Sequence, residues 1–397
     1  MKINVAVMFG GKSVEHEISV ISALQAMESL NTEKYDITPV YITKQGKMYT
    51  GEEIGNIKAY KNIDSLLKKS KQIILTNEDG KVVMSEFPAK RFGKQLKKVV
   101  DVVLPIVHGT NVEDGALQGY LRTLGVPFAG CDVLASAVGM DKHVMKLVFK
   151  DAGIPVLDSK RFLKTDFIAD EQAVITQIEE AFGYPVICKP VNLGSSVGIS
   201  KAKNAEELAE ALDLAFRFAP IVLVERAITN LREINCAVLG DMYEAEASEC
   251  EEPLNATDIL SYEDKYMAGG SKEGGSKGMA SLSRKIPADI TPEMREHIRT
   301  MAVKAFKALG GNGVARIDFM IDTAENKVYL NEINTIPGSL SFYLWQPIGV
   351  SYPELLDRMI KLALKRSREE ADIVYSFDTN VLDNCSFGSP KAGKFGK

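Results

Sequence analysis

Two consecutive apolar segments near the C-terminal end of the chain place charged and amide side chains at alternate positions. The first contains Arg316-Ile-Asp318 within RIDFMID, and the second contains Glu332-Ile-Asn334 within YLNEIN. Because side chains two residues apart lie on the same face of a β-strand, each pair shares one face. Two carboxylates and an amide oxygen on neighbouring strands are the hard oxygen ligands that suit Mg²⁺. The pattern therefore predicts a metal site at Asp318, Glu332 and Asn334.

Arg316 lies beside this predicted metal site and could hold a phosphoryl group or a developing oxyanion. The alternative is a surface ladder of cross-strand charge pairs. The remaining positions of both segments include apolar residues such as Phe319 and Leu330, which favours two buried strands over a surface ladder.

A second polar segment, residues 189–198, reads KPVNLGSSVG between two β-like runs. We predict an antiparallel hairpin whose tip offers backbone N–H groups and hydroxyls to an anion, with Lys189 supplying positive charge; a plain hairpin is the alternative. Lys142 is a second candidate phosphate-binding cation. Glu225 and Glu233 follow a predicted strand, VLVE, where they could meet the polar edge of a nucleotide.

Two patterns near the N-terminus are less specific. Residues 6–13 (AVMFGGKS) formally match a phosphate-binding loop, which leaves a kinase as an alternative. The middle of this segment is a continuous apolar strand, whereas such a loop needs flexible residues there. Glu15 follows the Gly10-Gly11 turn at the carboxyl end of a predicted parallel strand, a common place for ligands.

Composition excludes several classes of protein. The net charge of −5 argues against a broad nucleic-acid surface, and no apolar run is long enough to span a bilayer. The five cysteines include no Cys-x-x-Cys pair, so neither a disulfide framework nor a zinc ribbon is indicated. We expect a reduced, cytoplasmic protein that acts on small molecules.

The order of strands and helices predicts an α/β fold. Apolar strands and helices alternate over the first 140 residues, which predicts a mostly parallel sheet. Residues 262–283 are rich in Gly, Ser and Lys and are expected to form a lid loop. Residues 373–397 form a tail that we expect to be disordered.

Taken together, these segments resemble the ATP-grasp superfamily and, more closely, the D-alanine–D-alanine ligases. The matching segments are GGKSVEHEIS, VHGTNVEDGALQGYL, MDKHVMK, ICKPVNLGSSVGIS, SYEDKY, GVARIDFMID and YLNEINTIPG, which lie between residues 10 and 338. The resemblance implies a Rossmann-like N-terminal substrate domain (residues 1–140) followed by two ATP-grasp subdomains (residues 141–230 and 231–372) that clamp ATP between antiparallel sheets.

The resemblance also implies roles for individual residues. ATP would be bound by Lys142, Lys189, Ser196, Glu225 and Glu233, and two Mg²⁺ ions, for which Mn²⁺ can substitute, by Asp318, Glu332 and Asn334. The first D-alanine would bind near Glu15 and His108, and Arg316 with the N–H of Gly338 would stabilise the oxyanion. Lys265 and Tyr266 would close the site from the lid, with Ser195 and Glu15 as partners of the tyrosine.

The chain departs from the family pattern around the second substrate. The serine expected after the Pro-Gly turn is replaced by Tyr343 or Leu344, and Val112 replaces a glycine of the HGxxGEDG-like segment. The spacing from Glu225 to Glu233 is one residue longer than usual. The resemblance thus implies a D-alanyl-D-alanine-forming, commonly dimeric enzyme of peptidoglycan synthesis. A ligase that takes D-serine or glycine second, or a non-catalytic nucleotide-binding homologue, are the alternatives.

Overall fold

The N-terminal part of the chain folds around a seven-stranded sheet in the computed structural model, which describes residues 2–89, 92–93, 95–254 and 284–376. The order across the sheet is β6-β5-β4-β3-β2-β1-β7. The strands are β1 (Ile3–Gly10), β2 (Tyr35–Ile42), β3 (Met48–Thr50), β4 (Lys71–Glu78), β5 (Lys81–Glu86), β6 (Lys97–Val100) and β7 (Val102–Ile106).

The expected parallel arrangement is present where β1 pairs with β2 and β7. Beyond β2 the sheet continues through antiparallel strands, β3 to β6, that the sequence analysis did not assign. Short connections force the antiparallel pairing of β2 with β3 and of β4 with β5, because a parallel pair needs a long crossover. Between β4 and β5, for example, Asp79 and Gly80 have φ angles of 50° and 80°, as a two-residue hairpin turn requires.

Two antiparallel sheets follow. The four-stranded sheet has the order β10-β9-β11-β8, and the five-stranded sheet has the order β14-β13-β12-β15-β16. Their strands are β8 (Ser159–Leu163), β9 (Val186–Pro190), β10 (Ser200–Ala202), β11 (Ile221–Arg226), β12 (Leu231–Gly240), β13 (Ala245–Pro253), β14 (Arg284–Lys285), β15 (Gly313–Asp322) and β16 (Lys327–Asn334). The predicted hairpin is confirmed, because β9 and β10 pair antiparallel on either side of the glycine-rich loop.

Helices cover the sheets, and local sequence signals define several of their ends. The helices are α1 (His16–Ser29), α2 (Ile63–Lys69), α3 (Ala116–Leu124), α4 (Val133–Met140), α5 (Lys142–Asp151), α6 (Lys164–Ala169), α7 (Glu171–Phe182), α8 (Ala205–Phe216), α9 (Pro292–Ala308) and α10 (Tyr352–Ala371). Asp141 caps α5 by accepting hydrogen bonds from two backbone N–H groups, and Thr291 caps α9 by accepting one from the N–H of Met294. Within the described residues, no helix has the length and apolar character needed to cross a membrane.

The last helix, α10, packs against the N-terminal sheet, which is distant from it in the sequence. Leu355 and Leu356 of α10, together with Trp345, belong to the same buried cluster as Val7 and Phe9 of β1. Helix α10 therefore completes the core of the N-terminal sheet. This contact brings the turn after β16 against α1, where the functional site lies.

We expect Leu356→Ala to destabilise the protein far more than Leu134→Ala. Leu356 is fully buried, whereas Leu134 of α4 is 73% exposed. Removing a buried leucine side chain leaves a cavity and costs about 2–5 kcal/mol. The exposed leucine should change the free energy of unfolding by about 0.5 kcal/mol or less. Urea denaturation monitored by the fluorescence of Trp345 measures both, and equal effects would contradict the assigned packing of α10.

Candidate active site

One large cavity of about 660 Å³ lies where the three sheets meet. It is lined by residues that follow strands β1 and β7 of the N-terminal sheet and by residues of both antiparallel sheets. Of the residues singled out from the sequence, those that line it are Glu15, His108, Lys142, Lys189, Ser195, Ser196, Glu225, Glu233, Arg316, Asp318, Glu332, Asn334 and Gly338. Segments separated by hundreds of residues in the sequence therefore contribute to one site.

The glycine-rich loop closes against Glu15. Ser195, with a φ of 53°, is hydrogen-bonded to the carboxylate of Glu15 across the cavity. Gly194 lies so close that a Cβ on it would be 2.9 Å from Glu15 Oε2. A Cβ on Gly109 would be 2.8 Å from the same atom. A side chain at either position would displace this carboxylate, and Gly109 also has a φ of 81°, which glycine adopts without strain.

Two lysines lie beside the loop. Lys142 Nζ donates to Leu193 O at 2.6 Å and lies 3.3 Å from Glu332 Oε2. Lys189 Nζ forms an ion pair with Glu225 and lies 3.3 Å from Asn331 Oδ1. Both ammonium groups are thus fixed at the cavity wall in a position to meet an anion.

Glu225 is held between two buried lysines. It pairs with Lys189 and also with Lys146 of α5, whose Nζ donates to Leu157 O at 3.2 Å. Burial alone would raise the pKa of the Glu225 carboxyl, but the two lysines together lower the pKa below its ordinary value. Glu225 is therefore ionised, and Lys146, which the sequence analysis did not identify, fixes its position.

Arg316 and Asp318 share one strand face, as predicted. Arg316 donates to Asp318 through Nε and Nη2, both at 2.6 Å, and Asn334 Nδ2 donates to Asp318 Oδ2 at 3.1 Å. Glu332 lies directly opposite Asp318 in the pairing of β15 with β16. A β-bulge follows Asp318, which is a common device for aiming a side chain into a site.

Negative charge accumulates at this point of the cavity. Burial raises the pKa of the Asp318 carboxyl, and the charges of Glu332 and Glu251 add to the rise, while Arg316 opposes it. No group of three His, Cys, Asp or Glu side chains that could hold a metal occurs among the described residues. The donor set here is instead two carboxylates and one amide, and its crowded charge is of the kind that a hard cation relieves.

A chain of hydrogen bonds fixes the turn after β16. His108 Nδ1 lies 2.8 Å from Ile336 O, and His108 Nε2 lies 3.1 Å from Ser22 Oγ, which accepts from the N–H of Ser339 at 3.0 Å. These partners define the tautomer, because the carbonyl requires a donor at Nδ1 and the serine hydroxyl then donates to Nε2. Burial lowers the pKa of His108 to about 4, so the ring is neutral.

Glu113 holds the same turn from the other side. Its carboxylate accepts from the N–H groups of Gly109 and Ile336, both at 2.9 Å, and from Thr335 Oγ1 at 3.3 Å. Burial raises the pKa of Glu113 to about 7, and the charge of Glu15 adds to the rise. Glu113 was not predicted as a site residue, although it belongs to the VHGTNVEDG segment.

The residues after Gly338 adopt an unusual backbone. Ser339, Leu340 and Ser341 have φ angles of 50°, 52° and 49°, a left-handed conformation that is unfavourable by roughly 1–2 kcal/mol per residue. Packing compensates for this strain. Leu340 is fully buried, and Ser339 Oγ donates to Gln25 Oε1 of α1 at 2.8 Å.

Two predicted residues that the structure describes do not line the cavity. Tyr343 lies behind the cavity wall, in contact with Glu251 and Arg284, and Leu344 is fully buried in the N-terminal core. Lys265 and Tyr266, with the expected lid and residues 377–397 of the tail, lie outside the described residues. The cavity is also lined by residues that were not predicted from the sequence, among them Glu113, Asn235, Glu251 and Arg284.

A mixed sheet followed by two antiparallel sheets that enclose a cavity lined by lysines and carboxylates is the arrangement of an ATP-grasp ligase. Family models agree with this class over most of the chain. The model described as "D-ala D-ala ligase N-terminus" matches residues 4–131, and that described as "D-ala D-ala ligase C-terminus" matches residues 148–361.

Individual relatives extend the match to nearly the whole chain. A protein named D-alanine–D-alanine ligase from Acetivibrio thermocellus is 42% identical over 92% of this chain and 96% of its own length. The solved D-alanine–D-alanine ligase of Coxiella burnetii is 31% identical, covers 93% of this chain and 96% of that one, and superimposes with a TM-score of 0.77. The solved VanG D-Ala:D-Ser ligase of Enterococcus faecalis is 33% identical, covers 91% of this chain and 100% of that one, and superimposes with a TM-score of 0.73. The chain belongs to the D-alanine–D-alanine ligase family.

We expect His108→Asn to reduce the sensitivity of the fold to acid. The folded state holds His108 neutral, with its pKa lowered from 6.5 to about 4. In the wild type, the neutral His108 ring therefore makes its full contribution to the free energy of unfolding above pH 6.5, and this contribution is lost as the pH falls to 4. Over this window the free energy of unfolding should fall by about 3 kcal/mol more in the wild type than in the variant.

Denaturant titrations at several pH values measure this difference. His297→Asn is the matched control, because His297 lies on the exposed face of α9. It should leave the pH dependence unchanged. If His108→Asn keeps the full acid sensitivity of the wild type, the neutral buried histidine is not its source.

Proposed function

We propose that this chain joins two D-alanine molecules into D-alanyl-D-alanine, converting ATP to ADP and phosphate, for peptidoglycan precursor synthesis. The observation that carries the proposal is the meeting of three groups in one cavity. These are the Glu15–Ser195 contact, the lysines of the glycine-rich loop, and the Arg316–Asp318 pair opposite Glu332. Membership of the ligase family supports the same activity.

We assign the nucleotide to the side of the cavity between the two antiparallel sheets. Lys142 and Lys189 supply positive charge for the phosphates, and the loop of Ser195 and Ser196 supplies hydroxyl and N–H groups beside them. Glu225, held in place by Lys146, and Glu233 supply acceptors for the base and the ribose. Glu233 lines the cavity on β12, which supports its assignment despite the longer spacing in the sequence.

Asp318, Glu332 and Asn334 fit a pair of Mg²⁺ ions. Their oxygens are hard donors, they lie on adjacent strands, and their crowded negative charge favours a cation. Bound metal would neutralise charge on the phosphates and on the transferred group. Lys142, which pairs with Glu332, links this metal site to the phosphate side of the cavity.

The first step activates a carboxylate. The ammonium group of the first D-alanine pairs with Glu15, which orients the substrate, while the neutral ring of His108 holds the adjacent turn. A carboxylate oxygen attacks the γ-phosphorus of ATP, ADP leaves, and an acyl phosphate forms. This step is needed because oxide is a very poor leaving group from a carboxylate, whereas phosphate departs readily.

The second step forms the peptide bond. The neutral amine of the second D-alanine attacks the acyl carbon, the carbonyl oxygen becomes an oxyanion, and phosphate leaves as the amine loses its proton. We assign the stabilisation of this oxyanion to Arg316 and the N–H of Gly338; loss of one such donor typically raises the barrier by about 3–4 kcal/mol. Water must be excluded, since it would hydrolyse the acyl phosphate.

Further expectations of this proposal rest on the family resemblance. They are the division into an N-terminal substrate domain and two ATP-grasp subdomains, assembly as a homodimer, and a cytoplasmic location. Closure of the site by Lys265 and Tyr266 belongs to the same set.

Purified protein supplied with ATP, Mg²⁺ and D-alanine should release ADP and phosphate and form D-alanyl-D-alanine. Asp318→Asn should lower the rate at least about a hundredfold, because removing this charge weakens both the metal site and the alignment of Arg316. Asp158→Asn is the matched control, since the Asp158 side chain is 86% exposed and pairs only with the surface residue Lys150 among its described contacts. Coupled ADP release and mass spectrometry of the product measure these effects.

Parallel reactions separate the alternatives. Phosphate release only when D-serine or glycine accompanies D-alanine would contradict D-alanine as the second substrate. ATP binding without turnover would indicate a non-catalytic homologue. The kinase alternative has no support in the structure, because Lys12 is exposed and is absent from the cavity lining.

A further inference from the structure

The second amino acid brings a carboxylate into the cavity that takes no part in the reaction. This group remains free in the dipeptide and carries a full negative charge. Burying such a charge without a cationic partner is strongly unfavourable. The region that receives the second amino acid also contains Asp318, Glu332 and Glu251, which would repel the carboxylate. A cation must therefore lie at this end of the cavity.

The positions of the cationic side chains limit which of them could bind the carboxylate of the second amino acid. Those that line the cavity in the described part of the chain are Lys142, Lys189, Lys201, Arg226, Arg284 and Arg316. Lys142 and Lys189 flank the glycine-rich loop on the phosphate side. Arg226 pairs with Asp322, at the far end of β15 from Arg316, and Lys201 is exposed on β10. Arg316 is bonded through two nitrogens to Asp318.

Arg284 lies at the end of the cavity where the peptide bond would form. Its guanidinium carbon is 4.0 Å from the centre of the Tyr343 ring, and its Nη1 donates to Glu251 Oε2 at 2.6 Å. Burial and the charge of Glu251 raise the pKa of Tyr343, while the charges of Arg316 and Arg284 oppose the rise. Both arginines therefore lie close enough to the Tyr343 hydroxyl to change its pKa. Because Arg316 is the proposed oxyanion-binding residue, Arg284 lies near the proposed oxyanion site.

The surroundings of Arg284 orient it as a rigid binding group. Its side chain is only 9% exposed, and that of Glu251 is 2% exposed. Glu251 is fixed in turn by Asn235, whose Nδ2 donates to it at 3.0 Å, and by Tyr343. A guanidinium carries a permanent positive charge and a planar fork of N–H donors, which matches the geometry of a carboxylate. The face of Tyr343 fixes the plane of that fork.

We infer that Arg284, oriented by Glu251 and Tyr343, binds the carboxylate of the second amino acid. The inference rests on the proposed ligase function and deepens it, because it assigns the acceptor subsite. It also gives Tyr343 a role as the surface against which the arginine is stacked. An acceptor that lacks a carboxylate gains no binding free energy from Arg284, so its reaction should not depend on this residue.

The test compares acceptors with and without a carboxylate. The double variant Arg284→Met with Glu251→Gln removes the ion pair without leaving a buried unpaired charge, and Glu251→Gln alone retains the arginine. The matched control is Arg232→Met with Glu252→Gln, which removes the neighbouring pair on β12 and β13; neither residue lines the cavity. Each protein receives ATP, Mg²⁺ and D-alanine, and then the same mixture with saturating hydroxylamine. Thermal denaturation shows that each variant is folded.

We expect the double variant to raise the half-saturating concentration of D-alanine as acceptor at least about tenfold, which corresponds to about 1.4 kcal/mol. Its rate of D-alanyl hydroxamate formation should stay within about twofold of the wild type, because hydroxylamine has no carboxylate. Glu251→Gln alone keeps the arginine but weakens its orientation, so it should raise the half-saturating concentration less than the double variant does. The control pair should leave both values near those of the wild type.

Several results would overturn the inference. One is an equal loss of dipeptide and hydroxamate, which would indicate a general structural role. A second is an unchanged half-saturating concentration of D-alanine in the double variant. A third is a rise in that concentration in Glu251→Gln alone that equals the rise in the double variant. If the wild type forms neither dipeptide nor hydroxamate, the proposed function itself fails.

Discussion

The hydrogen bonds that attach the turn after β16 to the N-terminal sheet determine the geometry of the whole site. The N-terminal sheet supplies Glu15, whereas Arg316 and the predicted metal ligands lie on the C-terminal sheet. His108 and Glu113 bind opposite sides of the Ile336 backbone, and Ser22 of α1 binds the N–H of Ser339. These contacts fix the distance between the group that orients the first substrate and the N–H of Gly338.

Strain and burial act together at this point. Three consecutive left-handed residues after Gly338 would be unfavourable in isolation. They persist because Leu340 and Trp345 fill the N-terminal core beside α10. The chain thus uses hydrophobic packing around its last helix to hold a strained turn in the cavity. The buried charges nearby, such as Glu225 between two lysines, are compensated in pairs, so that the cavity remains able to receive charged substrates.

The sequence predicted those parts of the structure that depend on local periodicity. The alternation in RIDFMID and YLNEIN predicted the shared strand faces of Arg316 with Asp318 and of Glu332 with Asn334. The resemblance to a ligase family brought Glu15 and Lys189 into the same predicted site, and both residues line the cavity. Strands β3 and β6 were missed because segments of three and four residues carry little pattern. Strands β4 and β5 were missed although the Asp79-Gly80 turn between them was a usable signal.

Other features could not be predicted because they depend on tertiary contacts. Nothing local distinguishes Lys146 from a surface lysine of α5 until β11 places Glu225 beside it. Arg284 and Glu251 likewise gain meaning only when β13 and β14 pair and bring them against Tyr343. The neutral state of His108 results from burial by residues distant in the sequence.

The central claim is that the site activates a carboxylate by phosphorylation. D-alanine labelled with ¹⁸O in both carboxylate oxygens tests it most directly, by mass spectrometry of the phosphate and dipeptide formed with unlabelled ATP and Mg²⁺. The account predicts one ¹⁸O atom in each released phosphate, because the attacking oxygen leaves with phosphorus, and one fewer ¹⁸O in the new peptide carbonyl group. Unlabelled phosphate accompanying dipeptide formation would contradict an acyl phosphate and would require a different activation step.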